Sequence, residues 1–291
     1  MTLLVTGATG EIGGSLIERL TARWDVRILS RRSRPNGDAP VAVRWVRGDL
    51  ADGESLVRAC QGVEIVLHMA ALTHSRRTDD YLKVNVDGTA RLLRAARDAG
   101  VARFVHLSTR AIGAAGGAYS LSKELAELEV RAVGPPWVIL RPAEVYGGGG
   151  DPVLTLGRSL RSRPFVPILG DGRYRLSPVY VDDIVDAIVA ALDFPRAAGR
   201  TYVLAGPEEI TYLELVERLE KALGLPRRRR LHIPLAAAKL LIHGASRLGV
   251  GGYVPDQIPR LLLAKSSDNS AAVRDLGFSP RSLEEGLKAL Q

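Results

Sequence analysis

The sequence predicts an α/β protein: a doubly wound parallel sheet with a smaller, mainly helical C-terminal lobe. Three observations carry this expectation. A glycine-rich turn joins the first apolar run to the first helical pattern, strand-like and helix-like runs alternate through the first 140 residues, and the pattern changes after residue 146. Alternation of this kind builds a parallel sheet with helices on both faces.

The first element is Leu3-Leu4-Val5, an apolar run suited to a buried strand. It leads into Thr6-Gly7-Ala8-Thr9-Gly10-Glu11-Ile12-Gly13-Gly14, and Ser15 to Leu20 then has helical spacing. Gly7, Gly10 and Gly13 therefore fall where a strand becomes a helix. Such a turn needs positive φ or close backbone approach, which glycine provides. It presents amides and the positive end of a helix, which suit a pyrophosphate. Strand before and helix after are the context the motif requires. Gly7, Thr9, Gly10, Glu11, Ile12 and Gly13 are the first candidate cofactor-binding residues.

Further strands are expected at 2–6, 25–30, 42–47, 64–69, 102–108 and 136–141, and helices near 11–22, 53–60, 79–99 and 118–132. Gly100 is placed to cap the long helix at 79–99, and Pro135-Pro136 keeps the next helix out of the last of these strands. Beyond 146 come a glycine stretch (147–150), a helix after Asp151-Pro152, a strand at 179–181, a helix 183–193 with Asp182 as its cap, and a strand at 201–204. From 211 onward the chain reads as helices at 211–223, 234–248, 255–264 and 282–290. The expected division is a dinucleotide-binding domain of residues 1–146, to which 177–204 returns, and a substrate lobe of 147–176 and 205–291. Ligands of doubly wound sheets sit at the edge where strand C-termini point.

Composition narrows the function. The chain has 291 residues, 46% apolar and 25% charged, as expected of a globular protein with a large core. No apolar run reaches the ~18–20 residues of a membrane span. The longest candidate, 233–242, contains Pro234 and Lys239. With the motif starting at residue 2, no signal peptide is expected. Cys60 is the sole cysteine, which excludes an internal disulfide and points to the cytoplasm. The net charge of +8 is carried by 34 Arg and 6 Lys. Arg227 to Arg230 reads as a solvated loop after Gly224-Leu225-Pro226. Without interleaved aromatics it argues against nucleic acid, and the basic surface suits anionic small molecules.

Tyr119 and Lys123 carry the second chemical signal. Four residues apart, they share a helix face. An ammonium near a phenol favours the phenolate, and lowering a Tyr by about 3 units takes roughly 4 kcal/mol. A Tyr so tuned exchanges a proton with a carbonyl or alcohol. The pair follows the fifth strand, whose end carries the hydroxyls Ser108 and Thr109, either of which would hold a substrate oxygen.

Together these stretches resemble the extended short-chain dehydrogenases/reductases, the NAD-dependent epimerase/dehydratase group with a Rossmann-type fold. The matching residues are Thr6-Gly7-x-x-Gly10-x-x-Gly13, Gly48-Asp49-Leu50, His68 to Ala71, Asn85 to Thr89, Ser108-Thr109, Tyr119-x-x-x-Lys123, Leu140 to Gly147, Val179 to Asp183 and Leu276 to Pro280. The resemblance implies that Asp49 and Leu50 contact adenine and that Ala70 and Ala71 line the cofactor cleft. By the same resemblance Tyr119 is the acid/base, Lys123 holds the ribose and tunes Tyr119, and Pro142 and Val145 flank the nicotinamide. It also implies a homodimer through the 79–99 and 118–132 helices. The stretch 170–181 is similar to atypical members related to a complex I accessory subunit.

Arg31-Arg32 follows the second strand, where an NAD enzyme commonly carries an acidic residue. A guanidinium there suits a 2′-phosphate, so NADP is the expected cofactor, with NAD the alternative. The segment between Ser108 and Tyr119 is short and holds the Gly/Ala run 113–118, with little side chain for recognition. His68, His74, His106, His232 and His243 lack metal-ligand spacing, and no metal is expected. Three readings follow: an NADP(H)-dependent oxidoreductase on a carbonyl or alcohol substrate; a sugar-nucleotide epimerase or dehydratase with tightly held NAD, using Arg173, Arg175 or the 227–230 run for a diphosphate; and a non-catalytic cofactor-binding scaffold or sensor.

Overall fold

A computed structural model describes residues 1–32, 43–148, 152–193, 197–248 and 256–290. Of the expected elements, positions 42, 149–151 and 255 lie outside the described residues.

The first half alternates as expected. It runs β1 (Thr2–Thr6), α1 (Gly13–Thr21), β2 (Asp25–Ser30), β3 (Val43–Arg47), α2 (Gly53–Cys60), β4 (Ile65–His68), α3 (Thr78–Tyr81), α4 (Gly88–Asp98), β5 (Arg103–Leu107), α5 (Gly117–Val133) and β6 (Trp137–Pro142). The second half comprises β7 (Val145–Tyr146), α6 (Pro152–Ser162), β8 (Phe165–Leu169), β9 (Arg175–Leu176), β10 (Val179–Tyr180), α7 (Val181–Asp193), β11 (Arg200–Leu204), β12 (Ile210–Thr211), α8 (Tyr212–Ala222), β13 (Arg229–Ile233), α9 (Leu235–Leu248), α10 (Gln257–Leu262), α11 (Ser270–Leu276) and α12 (Leu283–Lys288).

Seven parallel strands form the main sheet in the order β11-β6-β5-β4-β1-β2-β3. The order reverses at β1 and β4, the crevice where doubly wound sheets bind ligands. The central strands β1, β4 and β5 are buried on both faces because helices cover both. On one side Leu16 and Leu20 of α1, Ile184 and Ile188 of α7, and Ala272 and Phe278 pack against Leu3, Val5 and Val105. On the other, Leu56, Leu92, Leu93 and Val130 pack against Leu4, Val66 and Phe104. A third core belongs to the lobe and joins Val153, Leu160, Val166, Ile168, Leu215, Leu219, Leu283 and Leu287.

Four local expectations change. The single helix expected at 79–99 contains a π-helical stretch over Leu82–Asp87 between α3 and α4. Asp182 was expected to cap a helix but lies inside the first turn of α7, which starts at Val181. The 227–230 run is no solvated loop: Arg229 and Arg230 belong to β13, which pairs in parallel with β8, and Arg230 is ion-paired to the buried Glu220 at 2.6 Å. Strands also form at β7, β8, β9, β12 and β13, where none was expected; β7, β9 and β12 have two residues each, too few to show a period-2 pattern. Gly100 does adopt the expected left-handed cap, with φ 72°.

Candidate active site

A cleft of about 2100 Å³ opens between the C-terminal edge of the sheet and the lobe. A drug-sized ligand pocket is about 300–1,000 Å³, so this one has room for a dinucleotide and a second molecule.

Its floor is backbone. Gly7 has φ 77°, and a Cβ there would fall 2.5 Å from the Ala70 nitrogen; a Cβ on Gly13 would overlap the Ala8 carbonyl oxygen. Turn and helix start are therefore pressed together with no side chain between them. A hydrogen-bond chain fixes the facing segment. The Ala70 amide donates to the Thr6 hydroxyl at 3.2 Å, and Thr6 donates to His68 Nδ1 at 2.7 Å. His68 Nε2 donates to the Thr89 hydroxyl at 2.9 Å, which donates to the Asn85 carbonyl at 2.6 Å. This assignment uses each proton once and requires a neutral ring. Burial, with the Lys123 charge second, agrees by pushing the His68 pKa down to about 3.

Asn85 lies in the π-helical stretch, and such bulges re-aim side chains at functional sites. Its amide nitrogen donates to the Leu72 carbonyl and the Ser122 hydroxyl, and its oxygen accepts from the Leu72 amide. Ser122 donates to the Tyr119 carbonyl. The wall at 70–72 and the helix carrying Tyr119 are thus tied through one side chain.

Cofactor candidates from the sequence cluster along this wall. Gly7, Thr9, Gly10, Glu11, Ile12, Arg31, Arg32, Asp49, Leu50, Ala70, Ala71, Pro142 and Val145 all line the cleft. Gly13 lies beneath it as the buried first residue of α1. Arg31 and Arg32 are exposed at the outer end, where Arg31, Arg47 and Arg58 share a smaller recess of about 540 Å³ with Asp49 and Asp52.

Ser108, Thr109, Tyr119 and Lys123 line the inner end. The two hydroxyls differ. Thr109 Oγ1 accepts from the Ala111 amide at 3.1 Å, whereas Ser108 Oγ is buried with no hydrogen-bond partner. Lys123 is buried and donates to the Leu107 carbonyl at 2.9 Å and to His106 Nε2 at 3.3 Å. Burial brings its pKa down to about 8, against the raising effect of Glu127.

Tyr119 corrects an expectation. Its pKa is shifted upward from the ordinary value by burial, not downward by Lys123. The cation that opposes the shift is Arg260 of α10, whose guanidinium carbon lies 4.6 Å from the Tyr119 ring centre. Asp256, beside it, accepts from the Tyr119 amide at 3.3 Å. The short Gly/Ala run makes this possible: positions 116 and 117 lack side chains where Leu263 and Asp256 press in.

Sequence reasoning missed Arg260 and a charged cluster deeper in the cleft. Arg110 pairs with Glu144 at 2.5 Å and donates to Ser177 and Ser267; Lys265 pairs with Glu144 at 3.0 Å. Arg110 and Glu144 adjoin recognised motifs and were within reach of the sequence, whereas 256–265 carries no motif. Apart from Gln257, the rest of the lobe's wall is apolar: Val153, Leu156, Pro167, Leu169, Leu176, Leu215, Ile233 and Leu261, with Tyr174 stacked on Tyr212. Arg173, Arg175 and the 227–230 run are not among the lining residues.

Comparison with known proteins follows the same lines. The model of the NAD dependent epimerase/dehydratase family matches residues 3–205. Sterol demethylase protein B of Methylococcus capsulatus is 33% identical over 97% of this chain and 94% of its own. The mitochondrial NADH dehydrogenase (ubiquinone) 1 alpha subcomplex subunit 9 of Rattus norvegicus is 28% identical over 99% of this chain and 78% of its own. DesIV, a dTDP-glucose 4,6-dehydratase of Streptomyces venezuelae solved with NAD bound, is 27% identical with a TM-score of 0.78, covering 100% of this chain and 95% of its own.

Proposed function

The chain belongs to the NAD-dependent epimerase/dehydratase family, and we propose that within it the protein is an NADP(H)-dependent oxidoreductase acting on an apolar carbonyl or alcohol. The observation that carries this reading is the contrast across the inner cleft. Ser108 and Tyr119 share the cleft with a lobe wall that carries Gln257, Arg260 and Lys265 beside Tyr119 and Glu144 and is otherwise made of Leu, Ile, Val, Pro and Tyr side chains. The arginines nominated for a sugar-nucleotide diphosphate lie off that wall. A relative named for a sterol fits an apolar substrate.

The glycine cradle fits a dinucleotide, because any Cβ at Gly7 would strike the facing backbone. The amides of residues 9–12 and the start of α1 would hold its pyrophosphate, and Arg31 and Arg32 a 2′-phosphate. When bound, its nicotinamide would supply or accept the hydride. The protein's own part is proton handling. Ser108 Oγ, which has no other partner, donates to the substrate oxygen. Tyr119 gives its phenolic proton to that oxygen in reduction and takes it back in oxidation. Burial holds the phenol protonated, the form reduction requires. Lys123 spends two N–H donors on Leu107 and His106 and keeps a third for a ribose hydroxyl.

The test is turnover of methyl ketones of increasing chain length with NADPH and with NADH. Rates that rise with chain length and vanish in Tyr119→Phe support the reading. No turnover of any ketone, with a thermal shift on UDP- or dTDP-glucose and NAD retained through purification, would replace it with the epimerase/dehydratase reading. Cofactor binding with no turnover of either class would leave the scaffold.

A further inference from the structure

Apolar side chains continue from the rim of the cleft onto the exposed surface. In the parallel ribbon of β8 and β13, Phe165 pairs with Arg229, Pro167 with Leu231 and Leu169 with Ile233. Alternation along a strand puts these six on one face. One end of that face, Pro167, Leu169 and Ile233, lines the cleft. The other end is exposed, with Phe165 at 40% and Leu231 at 51%. α9 begins two residues after Ile233, with Leu235 against Gly170 at the end of β8, and adds exposed leucines: Leu240 is 75% and Leu241 64% exposed, while Ala238 is buried. Contiguous exposed apolar area of this kind marks an interaction site.

Charge says what it meets. Residues 152–170 and 221–248, which include the ribbon and α9, contain ten Lys or Arg and no Asp or Glu, with Arg227 and Arg230 paired to Glu217 and Glu220 of α8. The chain as a whole has 40 basic and 32 acidic residues, so the imbalance is local. Arg161, Arg163, Arg229 and Lys239 are exposed. Leucines among cations complement a surface that is apolar inside and anionic outside. Two copies of such a face would repel one another. Among the described residues no helix is long and apolar enough to cross a membrane, so the contact is peripheral.

We propose that the β8–β13 ribbon and α9 dock on an anionic lipid bilayer, and that apolar substrate passes from it along the ribbon into the cleft. The docking stands apart from the oxidoreductase reading; the passage of substrate rests on it.

The experiment is flotation of the full chain with vesicles of phosphatidylcholine, with and without phosphatidylglycerol, beside calorimetry with NADPH. Binding is expected to the anionic vesicles alone and to weaken as salt rises. Leu240→Glu/Leu241→Glu should lower it by roughly tenfold or more with NADPH affinity unchanged. Both side chains are exposed, so the fold should survive; Arg163→Glu/Lys239→Glu provides a second variant that adds no charge to the apolar face. Equal binding by wild type and both variants, or no binding at all, overturns the proposal. So does a dimer, seen by light scattering, that the leucine variant dissociates. Wild-type protein that floats but binds no NADPH would count against the enzymatic reading and leave the docking intact.

Discussion

The two walls of the cleft are built on different principles. The sheet-side wall is set by backbone: glycines whose Cβ would clash, a His68 ring fixed by Thr6 and Thr89, and an Asn85 side chain holding two segments together. The lobe wall is set by side-chain bulk, with aliphatic residues from α6, β8, β9, α8, β13 and α10. A wall that binds through backbone can serve one ligand shape and leaves a spaced glycine signature. A wall that binds through apolar packing can be refilled with other residues of similar volume, and leaves none.

The largest effect that would break this contrast is at Tyr119. Tyr119→Phe removes proton transfer, a contribution of about 10²- to 10⁴-fold, and should leave NADPH affinity near wild type by calorimetry. A variant that keeps its rate would detach the sheet-side wall from the chemistry. On the outer wall, Arg31→Ala/Arg32→Ala removes charge-assisted bonds of about 1.5–3 kcal/mol, so NADPH should weaken by roughly 10- to 150-fold with little change for NADH. A double variant that still prefers NADPH as strongly as wild type would reassign the 2′-phosphate. Leu156→Glu tests the lobe wall. It should raise KM for the longest ketones by roughly 10- to 150-fold, from ~1.5–3 kcal/mol of lost burial, and leave cofactor affinity unchanged. A fall in NADPH affinity would show that the walls are not separable.

The smallest effect sits where the walls meet. Arg260 lowers the Tyr119 pKa against the upward push of burial. Without it the pKa rises, so in alcohol oxidation, which needs the phenolate, the rising limb of the rate–pH profile should move to higher pH. Asp256 and Tyr81, the other charged and titratable groups acting on Tyr119, stay unchanged in Arg260→Met. A cation–π contact is worth about 0.5–2 kcal/mol, or roughly a two- to thirtyfold loss at fixed pH, and Arg260→Lys should recover part of it. A profile that does not move would limit Arg260 to packing.

The same division explains how much could be read in advance. The six strands from β1 to β6, the glycine turn and the Tyr119–Lys123 spacing were legible because each is encoded within a few neighbouring residues. The π-helical turn was not, since nothing near Asn85 announces Leu72 and Ser122 as its partners. Arg230 read as solvated because Glu220 lies on another element. The direction of the Tyr119 shift was misjudged for a similar reason. Its burial and its cation come from α10, across the cleft, whereas the lysine on its own helix turns back to Leu107.

The strand order also bears on how the chain is made. β1 is synthesised before the other strands of the sheet and lies inside it when finished, with β2 and β3 on one side and β4, β5, β6 and β11 on the other. Each later strand adds to an edge that already exists, so the sheet grows outward without displacing a strand in place. Every addition is parallel and waits for a crossover to be synthesised. The longest wait is for β11, which follows β6 only after the whole of α6 to α7. Until then β6 is an open edge, and a nascent chain stalled in that interval would be the form most exposed to pairing with another copy.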